Sequence, residues 1–185
     1  LFAISGGDKY VIVDVRDIYH PKFVSEYDHP DSRVHDVWVR NGIAYSSEWG
    51  TGVVAVDAGN GKDGGTIEKP VLIGTFKTTS GATHEIYPYV QAATGKTYLF
   101  LGDEIMSRQG RVWEGTNYLQ DINAKGGPPQ TSAGYTHIVD FTDPANPKNI
   151  AKYHQEEFGA HDIIVEDDVM YQAYYDGGLR VVDVS

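Results

Sequence analysis

The chain has 185 residues, 41% of them hydrophobic and 22% charged, which is the composition of about one folded domain and not of a disordered segment. Its formal net charge of −11 argues against a nucleic-acid-binding surface, because such a surface needs clustered cations. The absence of cysteine excludes a disulfide framework, a zinc ribbon and a thiol nucleophile.

Short strand-like segments follow one another along the chain, and no stretch shows a sustained period of 3.6 residues. After a first strand around VIVDV at 11–15, the clearest set of four strands is predicted at Val34–Arg40, Ile43–Glu48, Val53–Asp57 and Val71–Lys77. Asn41-Gly42 is typical of a two-residue hairpin turn, and Asp167-Asp168 takes its place near the end of the chain. The sequence therefore predicts an all-β protein.

A repeat underlies these strands. The segments VIVDV, VVAVD, HIVDF and RVVDV carry Asp14, Asp57, Asp140 and Asp183, and 43 residues separate the first two aspartates and also the last two. An offset of 126 superimposes residues 10–59 on residues 136–185 without a gap. A unit of about 43 residues lies in the range of four-stranded propeller blades. We expect the repeated aspartates to close each unit's third strand with Asx-type hydrogen bonds to the following turn.

The repeat predicts a single β-propeller segment of four antiparallel units and 14 strands. Its parts are a partial blade at 1–29, a blade at 34–78, a blade at 82–154 with an insertion at 105–135, and a partial blade at 160–185. The two partial blades both contain the middle strands, so they cannot merge into one blade. We expect the ring to be open in this chain, or to be completed by further blades of a longer parent chain.

The repeated VIVDV segment, followed by a His-acid pair and a tyrosine-bearing second strand, resembles the LVIVD repeat of bacterial and archaeal propellers. The resemblance covers nearly the whole chain apart from the long insertion. It implies a propeller of seven blades in the full protein and a secreted, periplasmic or cell-surface location. It implies little about function. No apolar run approaches the roughly 18 residues of a membrane-spanning helix, so no transmembrane segment is expected.

A second repeated series, VHDVWV, THEIYP and AHDIIV, places His35, His84 and His161 at the start of the innermost strand of three blades. In a propeller these imidazoles would ring one mouth of the central channel. They are a candidate site for a divalent transition metal, and calcium is also conceivable given the acidity. The competing interpretation gives each histidine a structural hydrogen bond, and recurrence in every repeat favours it. The acids that follow (Asp36, Glu85, Asp162) are expected on the opposite face of the strand.

The turns between the second and third strands should lie at the same rim as the histidines. They carry the candidate ligand-binding residues Glu48, Trp49, Asp103, Glu104, Tyr175 and Asp176. The long insertion emerges there too, and it mixes cations and aromatic residues in the manner of a binding surface, at Arg108, Arg111 and Trp113.

These patterns predict an extracytoplasmic binding scaffold that recognises an unidentified protein or small-molecule ligand at the histidine-bearing rim. No residue is predicted to be catalytic, because the sequence contains no nucleophile elbow and no phosphate-binding loop. The alternative is a metal-dependent oxidoreductase or lyase whose metal is held by the channel histidines. Metal analysis of the protein and of a variant lacking the three histidines separates the two hypotheses.

Overall fold

The computed structural model describes residues 1–30, 32–79, 82–107, 131–155, 158–175 and 177–185. Over these residues the protein consists of antiparallel strands without a helix, which confirms the all-β prediction. Fourteen of the described strands form four sheets, as predicted. The described part of the chain contains no helix that is long and apolar enough to cross a membrane.

The first two sheets are simple meanders in which each strand pairs with the next. Sheet I contains β1 (Phe2–Ser5), β2 (Lys9–Asp14) and β3 (Lys22–Asp28). Sheet II contains β4 (Val34–Arg40), β5 (Ile43–Glu48), β6 (Gly52–Asp57) and β7 (Val71–Phe76).

The other two sheets follow the same scheme, with an insertion in the third. Sheet III begins with β8 (Thr83–Val90) and β9 (Thr97–Asp103). A separate ribbon of β10 (Ile105–Ser107) and β11 (Thr131–Ala133) comes next, and sheet III then resumes with β12 (Thr136–Asp140) and β13 (Lys148–Tyr153). Sheet IV contains β14 (Gly159–Glu166), β15 (Val169–Tyr175) and β16 (Gly178–Asp183).

The predicted hairpin turns are confirmed by their backbone angles. Asn41 and Gly42 have φ angles of 52° and 76°, and Asp167 and Asp168 have φ angles of 49° and 59°. Positive φ at both central residues is the mark of the hairpin turn whose twist matches the flanking strands.

Each sheet packs face to face on the next, and a separate hydrophobic cluster fills each of the three interfaces. Strand β6 shows how this arises, because all six of its residues are buried. Val53 and Ala55 pack toward Ile86 and Leu99 of sheet III, whereas the alternate residues of β6 pack toward Tyr10 of sheet I. The third cluster joins sheets III and IV, so the core runs through the whole series.

One apolar face of sheet IV is open in this chain. Leu179 and Val181 are 63% and 60% exposed. The 126-residue offset aligns them with Val53 and Ala55, which sheet III covers completely. Sheet IV therefore presents the face that, in sheet II, is the interface with the following sheet.

The repeated aspartates all form the predicted Asx-type turn. In each, Oδ1 accepts a hydrogen bond from the backbone N–H two residues later, at distances of 2.8–3.0 Å; the pairs are Asp14 with Arg16, Asp57 with Gly59, Asp140 with Thr142, and Asp183 with Ser185. These bonds close the end of the strand that precedes the loop, and the prediction is confirmed.

Candidate functional site

Three imidazoles from three different sheets lie in a row. His35 belongs to β4, His84 to β8 and His161 to β14, and β8 lies beside both of the other strands. The ring centroids of His35 and His84 are 3.7 Å apart, and those of His84 and His161 are 4.5 Å apart. The structure thus brings together the histidines that the repeat pattern had singled out.

A β-bulge interrupts each of these strands at its histidine. The pairing register shifts between Val34 and Asp36, between Thr83 and Glu85, and between Ala160 and Ile163. A bulge adds an unpaired residue and re-aims its neighbours, so the two-residue alternation of side chains fails locally.

The prediction that the acids point away from the histidines is therefore wrong for Glu85 and Asp162. One carboxylate oxygen of each and a ring nitrogen of His84 lie within 4.8 Å of one another. The acids also accept bonds from backbone N–H groups, as expected: Asp36 from Ile86 and Glu85 from Ile163, in each case across to the next sheet.

The carboxyl groups of the half-buried Asp36 and the buried Glu85 form a pair beside the imidazoles. Burial, followed by the charges of Asp36 and Asp162, raises the pKa of Glu85 to about 9. Glu85 is therefore protonated at neutral pH and shares a hydrogen bond with Asp36. Burial raises the pKa of Asp36 as well.

In each of the two four-stranded sheets, II and III, the residue that follows the second strand lies between two imidazoles and contacts both. Trp49 and Glu104 occupy equivalent positions, because their N–H groups donate to Arg33 O at 3.0 Å and Ala82 O at 3.1 Å, just before β4 and β8. The Trp49 ring centroid lies 5.5 Å from those of both His35 and His84.

Glu104 is the equivalent of Trp49 in sheet III, and it lies between His84 and His161. Its Oε2 lies 3.5 Å from Nε2 of His84, and its Oε1 lies 3.9 Å from Nε2 of His161. The hydroxyl of Tyr175 donates a 2.5 Å hydrogen bond to Oε1 of Glu104. Burial, followed by that hydrogen bond, raises the pKa of Tyr175 to about 12, so the phenol stays protonated and remains a donor.

His84 is the central and most enclosed of the three imidazoles. It is 4% exposed, and among the described residues its Nδ1 has no hydrogen-bond partner. Burial, together with neighbouring His35, lowers the pKa of His84 to about 4. The ring is therefore neutral at physiological pH and keeps a lone pair available for a ligand.

Glu48 and Asp103, predicted to face a rim ligand, are instead fully buried and form structural hydrogen bonds. Glu48 accepts hydrogen bonds from the hydroxyls of Ser32 and Ser46, and its Oε2 lies 3.3 Å from Nδ1 of His29. Glu48 and Asp103 are the last residues of β5 and β9, and both side chains are buried. The next residues, Trp49 and Glu104, are the ones that contact the imidazoles.

Asp103 pairs with a histidine that the sequence analysis missed. Nε2 of His137 lies 2.6 Å from Oδ2 of Asp103, and Asn149 donates to Nδ1 of His137 at 3.0 Å. The 126-residue offset aligns His137 with Val11, so the repeat contains no signal for this pair.

Four predicted rim residues lie outside the residues that the structure describes. They are Arg108, Arg111 and Trp113 of the insertion, and Asp176 of the turn before β16. Only the two ends of the insertion are described, as the β10–β11 ribbon.

Two groups of described side chains have ligand atoms close enough to hold a metal ion. One consists of His84, Glu104 and His161, and the other of His84, Glu85 and Asp162; within each group the ligand atoms lie within 4.8 Å of one another. His35 belongs to neither group. The predicted set of three histidines therefore differs from both groups, because each group includes at least one carboxylate and neither includes His35.

No protein-family model and no curated protein matches this chain.

Proposed function

We propose that the chain is part of an LVIVD-type β-propeller, secreted, periplasmic or on the cell surface, and that its histidine-bearing rim binds a small cationic ligand. Successive antiparallel sheets of three or four strands, hydrophobic clusters between consecutive sheets, and the contact of β8 with β4 and β14 support the propeller. The open face of sheet IV fits a further blade of a longer chain.

The observation that carries the binding role is the difference between Trp49 and Glu104. Both bridge two imidazoles from the same position of the repeat. If the histidines had only a repeated structural role, the same neighbour would be expected in each repeat. An aromatic residue on one side of His84 and a carboxylate on the other make the rim asymmetric, as a ligand site is.

The charges around the rim favour a cation. The chain has a net charge of −11, and the carboxyl groups of Glu104 and Asp162 lie beside the neutral imidazole of His84. The acids would repel an anion. Among the described ion pairs of Glu104 and Asp162, every partner is a histidine, so no lysine or arginine offsets this repulsion. Trp49 adds a ring face that also attracts cations.

The test is thermal unfolding of the full chain with Zn²⁺, choline, spermidine, sulfate and glucose in separate samples. At 100 times its dissociation constant, a bound ligand adds about 2.7 kcal/mol, which raises Tm by roughly 5–10 °C for a chain of this size. We expect at least one of the cations to give this shift, and Trp49→Ala or Glu104→Gln to reduce it.

His20→Ala is the control, because His20 is exposed and lies outside the rim, in the turn after β2. It should respond as the wild type does. A shift with sulfate or glucose alone, or a full shift retained in both rim variants, would contradict the proposal.

A metal-dependent oxidoreductase or lyase is the second candidate. It is favoured by one observation: two imidazoles and one carboxylate converge, and such a set leaves coordination positions open for a substrate. Turnover of a redox or lyase substrate that needs added metal, and that is lost in His161→Ala, would support the enzyme over the binding scaffold.

A further inference from the structure

Resting on the proposed cation recognition at the rim, we infer that the ligand is a divalent transition metal held by His84, Glu104 and His161. This set replaces one of the three histidines that the repeat pattern suggests with a carboxylate. It also places the metal between sheets III and IV, and not on the axis of the channel.

The separations between the ligand atoms are close to those that a metal requires. Two ligands bound at about 2.0–2.1 Å in tetrahedral geometry lie about 3.3 Å apart. Nε2 of His84 and Oε2 of Glu104 are 3.5 Å apart, and Nε2 of His161 and Oε1 of Glu104 are 3.9 Å apart. Small rotations of the side chains would complete the coordination.

Groups behind the ligands hold them in orientation. Nδ1 of His161 lies 3.0 Å from Oδ1 of Asp162, which leaves Nε2 as the free ligand atom. Tyr175 donates to Oε1 of Glu104. A carboxylate behind a ligating imidazole and a donor on a ligating carboxylate are the usual outer partners of protein metal sites.

The long contact between Nε2 of His84 and Glu104 is the second observation that points to a ligand. The imidazole is 4% exposed, and Nε2 is the nitrogen that faces Glu104. The 3.5 Å contact of Nε2 with Glu104 exceeds the 2.7–3.2 Å range of N–H···O bonds. A purely structural buried histidine would have its hydrogen bonds satisfied.

The donor set selects the class of metal. Two imidazoles with one carboxylate suit Zn²⁺, Fe²⁺, Co²⁺ or Ni²⁺, whereas Ca²⁺ and Mg²⁺ prefer oxygen ligands. His35 stays outside the set because its ring lies against the ring of His84, with centroids 3.7 Å apart, on the side that Trp49 covers.

The experiment is calorimetric titration of the full chain with Zn²⁺, together with Co²⁺ absorption spectra to report the ligand geometry. We expect one ion per chain, a loss of at least about 100-fold in affinity for Glu104→Gln and for His161→Ala, and about 10-fold for Asp162→Asn. His20→Ala, at the exposed His20 outside the rim, is the control and should change affinity less than threefold, whereas His35→Ala should lose clearly less affinity than His161→Ala. Circular dichroism of each variant verifies the fold.

Loss of binding in His35→Ala as large as in His161→Ala would overturn the assigned ligand set. No Zn²⁺ or Co²⁺ binding by the folded wild type, or unchanged affinity in Glu104→Gln, would overturn the metal site itself. If choline or spermidine still stabilises the wild type through Trp49 in that case, cation recognition at the rim stands and only the metal inference fails.

Discussion

Tyr175 donates a 2.5 Å hydrogen bond to Oε1 of Glu104, and this bond ties the end of β15 in sheet IV to the residue that follows β9 in sheet III. The Glu104 side chain is mostly buried, so the bond also fixes the carboxyl group between His84 and His161. One hydroxyl group therefore supports both the contact between two sheets and the geometry of the rim.

We expect Tyr175→Phe to lower the free energy of unfolding by about 1.5–3 kcal/mol, the range for a hydrogen bond to a charged group. Urea unfolding followed by circular dichroism measures this loss. Tyr171→Phe is the control, because Tyr171 lies on the same strand but is 41% exposed. Equal stability of the two variants would show that the bond to Glu104 contributes nothing.

The buried pair of His137 and Asp103 holds the centre of sheet III together. Both side chains are fully buried, and Asn149 completes the network. We expect His137→Ala to destabilise the protein by about 3–5 kcal/mol, because it removes the imidazole that pairs with the buried Asp103 carboxylate and leaves a cavity in its place. Chemical unfolding gives the value.

His154→Ala serves as the control for His137→Ala, because His154 is exposed just after β13, and its effect should stay within about 0.5 kcal/mol. The two variants should bind Zn²⁺ equally if they fold. A change in metal affinity for folded His137→Ala would show that this pair and the rim form one functional unit.

The sheet scheme was predictable because it depends on local signals. Asn41-Gly42 and Asp167-Asp168 mark hairpin turns by their chemistry, and the repeated aspartates mark strand ends by their hydrogen bonding. These signals act within a few residues, so they appear in the sequence as a constant spacing. The position of His35, His84 and His161 at the start of equivalent strands follows from the same spacing.

The details of the rim were not predictable in this way. A bulge at each histidine leaves the spacing of the repeat unchanged, so the period-two rule placed Glu85 and Asp162 on the wrong face. Glu48 and Glu104 are one position apart in the repeat, and only the three-dimensional structure shows that one is buried and the other faces the imidazoles. Pairs such as His137–Asp103 occur in one sheet and leave no repeated pattern.

Tyr89 and Asp168 form a second link between sheets III and IV. The Tyr89 hydroxyl donates to Oδ1 of Asp168 at 2.9 Å and accepts from the N–H of Asp168 at 3.0 Å. We expect Tyr89→Phe to cost about 1–3 kcal/mol, because the N–H of Asp168 loses its partner. Tyr19→Phe, at a tyrosine that is 83% exposed, is the control in the same unfolding assay. Equal midpoints for the two variants would refute this link.

Asp57 should make stability depend on pH in the acid range. Burial alone raises its pKa, but backbone N–H donors at Asn60, Gly59 and Gly65, at 2.7–2.8 Å, outweigh burial and hold the pKa of Asp57 below its usual range. The unfolded chain then takes up the proton first as the pH falls, so the stabilisation is full above about pH 4 and is lost below it.

Asp57→Asn tests this dependence, because the amide cannot accept all three bonds. At pH 7 we expect the variant to be less stable than the wild type by about 1–3 kcal/mol, and the difference to shrink as the pH falls below about 4, because the unfolded wild-type chain then takes up its proton before the folded one. Urea unfolding at each pH gives both values, and Asp8→Asn, at an exposed position in the β1–β2 turn, should show no such convergence. A difference that stays constant down to pH 2.5 would mean that the charge of Asp57 does not stabilise the loop, and that only the shape of its side chain matters.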